Sequence, residues 1–199
     1  MNARLTTLLG ATGLAAVIVS SSTPYAQLQI NPFSQYYENV ARAAKQNSTD
    51  STERVRSLLA NGVPPDQTDD TQRTAMHYAA INGNQMMILI LAKAGAKLDP
   101  KEKLGNTPLH LAADANQVEA AKLLLDIGAA VDPENRNGMT PLMVAANRGN
   151  VEIVQALLAK GANVTKTDYT GRDAAGWAAE SRRPAVVQAI KRAQTAKKS

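Results

Sequence analysis

Gly105-Asn106-Thr107-Pro108-Leu109-His110-Leu111-Ala112-Ala113, and after a short break at Asn116 the run Val118-Glu119-Ala120-Ala121-Lys122-Leu123-Leu124-Leu125-Asp126 closed by Gly128, is the stretch that decides the fold. Gly105 supplies a tight turn. Thr107 is a good N-cap, and Pro108 takes the first helical position, where its missing N–H costs nothing. Leu109, Ala112 and Ala113 then share one helical face by three-and-four spacing. Val118, Ala121, Leu124 and Leu125 form a second apolar stripe, and Gly128 ends that helix as a C-cap residue does. The small Ala pair lets two helices approach closely. The unit reads as helix, turn, helix, then an extended loop rich in Asp, Asn, Pro and Gly.

The same unit recurs every 33 residues. Gly105, Gly138 and Gly171 keep that step, as do Thr74, Thr107 and Thr140. So do the Ala pairs beginning at Ala79, Ala112, Ala145 and Ala178, the leucines Leu58, Leu91, Leu124 and Leu157, and the glycines Gly62, Gly95, Gly128 and Gly161. Asp66, Asp99 and Asp132 follow the same register. A fixed period of this length is the signature of stacked repeats, each unable to bury its apolar stripe alone.

Thr107-Pro108-Leu109-His110-Leu111-Ala112-Ala113 and Thr140-Pro141-Leu142-Met143-Val144-Ala145-Ala146 resemble the ankyrin repeat, as do the unit endings Leu123–Ala129 and Leu157–Asn163. The resemblance runs from about Ser34 to Ala193. It implies an all-α solenoid of antiparallel helix pairs with β-turn fingers along one side. The expected organisation is an N-terminal cap repeat at 34–66, internal repeats at 67–99, 100–132 and 133–165, a C-terminal cap repeat at 166–195, and a basic tail at 196–199. The second unit lacks the Pro (Thr74-Ala75-Met76-His77), and the last has Asp173-Ala174-Ala175-Gly176, where Asp173 can still cap. In the first unit the Ala43-Ala44 pair sits three residues too far from Leu58, which predicts a longer turn through Ser48–Thr52.

The N-terminus reads differently. Arg4 precedes a fifteen-residue apolar run, Leu5–Val19, diluted by Thr and Gly, and then a small polar stretch to Ala26. This is the pattern of an export signal over 1–26, followed by a spacer at 27–33. A membrane-spanning helix needs about 20 apolar residues, more than the run provides. The expected location is therefore periplasmic or secreted.

Composition narrows the function. The chain has no Cys and two His, so disulfides, thiol chemistry and Cys- or His-rich metal centres are excluded. His77 and His110 occupy one repeat position, where they are read as supporting the turn beside the Thr cap. No phosphate-binding glycine loop and no nucleophile triad are visible. No catalytic residue, metal or cofactor is expected, and Asp69-Asp70 is read as solvated finger loop. Met87, Ile90 and Trp177 are expected to fill the core. The net charge of +5 is mild, and aromatics are only 4%, without the interleaving a nucleic-acid surface needs.

By resemblance, partners dock on a concave face made of finger tips and the outer side of each first helix. In this register that face carries Arg73, Ile81, Lys103, Leu104, Asn106, Asp114, Arg136, Met139, Asn147, Arg148, Tyr169 and Arg172. The expectation is a monomeric, non-enzymatic module binding a protein partner, in a role such as oxidative-stress defence or toxin neutralisation. A second reading rests on the basic C-terminal helix Pro184–Ala196, flanked by Arg182, Arg183, Lys197 and Lys198: a peripheral envelope factor held at anionic surfaces.

Overall fold

The computed structural model describes residues 7–9, 15–17, 39–46 and 48–196. The chain divides into two units, 1–37 and 38–199. In the first, strands β1 (Thr7–Leu9) and β2 (Ala15–Val17) pair antiparallel, with Leu8 opposite Ala16. The expected cleavage point after Ala26, the spacer at 27–33 and the last residues of the basic tail lie outside the described residues. Among those described, no helix is long and apolar enough to cross a membrane.

The second unit is built of helices in antiparallel pairs: α1 (Val40–Lys45) with α2 (Thr49–Ala60), α3 (Ala75–Ile81) with α4 (Gln85–Lys93), α5 (Pro108–Asp114) with α6 (Val118–Asp126), α7 (Pro141–Arg148) with α8 (Val151–Ala159), and α9 (Ala174–Glu180) with α10 (Pro184–Ala196). Each first helix starts where the sequence supplies a cap. Thr74, Thr107, Thr140 and Asp173 all sit in extended backbone just ahead of it. Each middle pair ends the same way. At the end of α6, the amides of Gly128 and Ala129 reach back to the carbonyls of Leu125 and Leu124, at 3.4 and 2.9 Å, and so satisfy acceptors the helix leaves open.

The core runs the length of the stack. Leu91, Leu124 and Leu157 are each fully buried between adjacent pairs, as are Ala79-Ala80, Ala112-Ala113 and Ala145-Ala146. The Ala pairs carry no rotamer entropy to lose and let first helices pack against one another at short range. The family fold implied by the sequence is the fold observed.

Three packing expectations need correction. Ser48–Thr52 is not a lengthened turn: Ser48 caps α2 in a reciprocal box with Ser51, and α2 runs twelve residues where α4, α6 and α8 run nine. The three extra residues were absorbed as most of a helical turn, because Ser48 offers a cap one turn earlier than the repeat register requires. Ile90 is half-buried, whereas Ile88 beside it is fully buried with Met87. Trp177 fills the core only in part: it packs against it half-buried, with its indole N–H donating to the buried finger carboxylate of Asp168 at 3.0 Å.

Candidate protein-binding face

The fingers are shaped from within by one acceptor per repeat. Asp69 Oδ1 accepts from the backbone amides of Thr71 (2.8 Å) and Arg73 (3.0 Å) and from the Thr71 hydroxyl. Asp168 does the same for Thr170 and Arg172. In the middle repeats Glu102 Oε1 takes the amides of Leu104 and Asn106, and Asn135 Oδ1 those of Asn137 and Met139. Burial pushes the Asp69 carboxyl up, but the hydrogen bonds from Thr71, Tyr78 and Arg73 outweigh it and hold the group well below the usual carboxylate range. Asp168 is lowered by the same balance, with Trp177 replacing Tyr78 among the donors. Asp69 is therefore structural, not merely solvated.

Neighbouring fingers are stitched by backbone bonds. Lys103 N–H donates to Thr71 O (3.1 Å), Arg136 N–H to Leu104 O (3.0 Å), and Tyr169 N–H to Asn137 O (3.1 Å). Gly105 and Gly138 permit this closeness. Both have positive φ, +80° and +76°, and a Cβ on Gly105 would sit 2.8 Å from the Arg136 backbone nitrogen. At the other end of each loop, Asp66, Asp99 and Asp132 accept from the backbone amides of Lys97, Ala130 and Asn163 in the following repeat. That is the physical content of the periodic Asp column.

The two histidines tie fingers to helices. His110 Nδ1 accepts the Thr107 backbone N–H at 3.1 Å, and Nε2 lies 2.9 Å from Met139 O in the next repeat. An N–H can only donate and a carbonyl can only accept, so the ring is the neutral Nε2–H tautomer. His77 repeats the arrangement between Thr74 N–H (3.0 Å) and Asn106 O (3.1 Å). Burial drives His110 down to about 4, against the opposing hydrogen bond to Met139, and lowers His77 for the same reason. Both rings are committed to the scaffold at neutral pH.

Of the twelve face residues expected from the sequence, Asn106, Asp114, Met139 and Asn147 line one cleft of about 200 Å³ between the third and fourth repeats, with His110, Leu111, Asn135 and Val144. Leu104 is 62% exposed and Tyr169 76% exposed, as packing-independent positions should be. Lys103 and Arg136 are exposed at adjacent finger tips, and Ile81 is half-buried at the end of α3. The remaining arginines are already engaged. Arg148 Nε and Nη2 each lie 2.7 Å from Asp114 Oδ1. Arg172 pairs with Glu180 and stacks 4.1 Å over Trp177, and Arg73 lies 6.0 Å over Tyr78 and 3.9 Å from Glu102.

One exposed pair on another surface was not anticipated. Met86 and Leu89 on α4 are 57% and 45% exposed, at positions where α2 carries the Glu53–Arg56 ion pair and α6 the Glu119–Lys122 pair. The repeat register contains this signal: two apolar residues replace a charged pair at matching positions. Among the described residues, no group of three or more His, Asp or Glu is placed to hold a metal ion.

The family model described as "Ankyrin repeats (3 copies)" matches residues 40–135 and 127–198. No curated protein matches the sequence.

Proposed function

Because the chain belongs to the ankyrin-repeat family, we propose that it is an exported, non-enzymatic scaffold that captures a protein partner on the face formed by its finger tips and first helices. The observation that carries this reading is the division of labour within each repeat. Caps, glycines, Ala pairs and finger acceptors are consumed by the stack, while Leu104 and Tyr169 leave large apolar surface exposed outside the core. Fingers stitched by backbone bonds present those side chains already ordered, so little conformational entropy is lost when a partner docks. Large exposed anchors on a rigid support are what protein hot spots are made of.

Export rests on the N-terminal pattern of a charged start, an apolar run and a small-residue stretch to Ala26. A scaffold in that compartment would serve oxidative-stress defence or toxin neutralisation by sequestering or recruiting its partner, and the partner's identity separates the two. The test has two arms. The double variant L104S/Y169S should lose the partner recovered by affinity purification of the wild type, with its melting temperature unchanged. Residues 1–33 fused to alkaline phosphatase, which becomes active only outside the cytoplasm, should give activity in a bacterial host. Retained capture would remove the binding face, and a silent fusion would remove the export assignment.

A further inference from the structure

We infer that the finger tips take an acidic segment whose carboxylates are spaced three residues apart and followed, at the same spacing, by a bulky apolar side chain; this rests on the protein-binding reading above. The argument is one of charges left over. In the third to fifth repeats the acids near the tips are occupied: Glu102 is buried and shapes its own finger. Asp114 holds Arg148, Glu134 holds Lys166, and Glu180 holds Arg172. Asp168 is buried and bonded to Thr170, Arg172 and Trp177. Lys103 and Arg136 are exposed, and among the described residues neither side chain has an ion pair or hydrogen bond.

Lys103, Arg136 and Tyr169 also stand in one row. Each is one 33-residue period from the next, and their positions are fixed by the ladder bonds from all three backbone amides. Helices packed side by side lie roughly 8–10 Å apart, which sets the step along the row. A polyproline II segment advances about 9 Å in three residues and returns to the same face. Acid, acid and apolar residue at that interval therefore meet Lys103, Arg136 and the Tyr169 ring in turn. The row also has a direction, because its preceding member is Asp70, exposed and only 4.0 Å from Arg42 in a loose pair, which repels a third acid beyond Lys103.

Calorimetric titration of the full repeat chain with synthetic peptides tests this. The probes are a short peptide with two glutamates three residues apart and a leucine three further on, a scrambled peptide of the same composition, and a lysine-for-glutamate version. The spaced acidic peptide should bind tightest. Raising salt from about 50 to about 500 mM should weaken it severalfold, since exposed charges are screened beyond a few ångströms at high ionic strength. K103E/R136E should weaken it about tenfold or more and shift preference to the lysine peptide, with an unchanged melting curve. Equal binding of the three peptides, binding by none of them, or indifference to the charge reversal overturns the inference. If the acidic peptide fails while partner capture still depends on Leu104 and Tyr169, only the acidic inference falls. If capture ignores all four residues, the binding face falls with it.

Discussion

His110 and Met143 occupy the same position one repeat apart, and they close neighbouring junctions by different physics. His110 spans its junction with two hydrogen bonds, to its own cap and to Met139 in the next repeat. Met143 is equally buried but offers no polar bridge; its amide reaches only the Thr140 hydroxyl, at 3.4 Å. The fourth-to-fifth junction has polar contacts nearer the surface: Ser181 to Asn147 and Lys166 to Glu134. Both junctions bury the same apolar column. The buried polar bridge is thus optional for stacking, and what it adds is orientation of the finger and a dependence on protonation.

Packing is expected to dominate on both sides of that comparison. Leu124→Ala and Leu157→Ala should each cost ~2–5 kcal/mol through loss of buried surface and the cavity left behind, measured by urea denaturation. A loss at Leu124 far below that at Leu157 would mean the histidine bridge carries the junction.

Acidification should separate the two junctions next. The folded His110 sits at about 4, below its unfolded value near 6.5. The unfolded chain therefore binds the extra proton first, so stability is intact above about pH 6.5 and falls as pH drops towards about 4. At the lower end the loss from this one ring is on the order of 3 kcal/mol, and His77 adds in the same direction. Asp69 and Asp168 act only at lower pH, because their stabilisation is lost as the unfolded carboxyls protonate near 4 and below. Melting temperature followed from pH 7 to about 5 reads mainly the histidine window, before the carboxyls of the unfolded chain begin to protonate. His110→Met, which transplants the solution of the fourth repeat, should flatten part of that slope; an unaltered slope would break the assignment.

The smallest effect isolates the finger contact. Gly95 and Gly105 share φ +80°, but a Cβ on Gly95 meets nothing within 4 Å, whereas on Gly105 it meets the Arg136 backbone. Gly95→Ala should cost about 1 kcal/mol from left-handed strain alone. Gly105→Ala should cost measurably more, and equal losses in thermal denaturation would show that the fingers are free to part.

Much of this is legible in the sequence itself. Thr107, the Ala pairs, Leu124 and Gly128 recur as identical residue types, because a cap, a close helix contact and a left-handed turn each admit few side chains. The finger acceptors escaped notice for the opposite reason. Asp69, Glu102, Asn135 and Asp168 are chemically one thing, a side-chain oxygen aimed at amides two and four residues on, written in three residue types. Longer-range partners were also hidden: nothing local to Arg148 announces that Asp114, a repeat away, already holds it. The register singled out Leu104 and Tyr169, which are exposed, but it could not tell that Arg73, Arg148 and Arg172 already have partners within the chain. The Ser48 cap shows the same limit, since the period marks where a helix is needed and not where one is allowed to begin.

Trp177 is the sole tryptophan of the chain, and its indole is pinned between the Arg172 guanidinium and the Asp168 carboxylate. That gives the terminal helix pair a private optical voice. Its emission reports fraying of the last module, while circular dichroism reports the whole array. Any gap between the two unfolding curves measures directly how far the stack melts from its end rather than all at once.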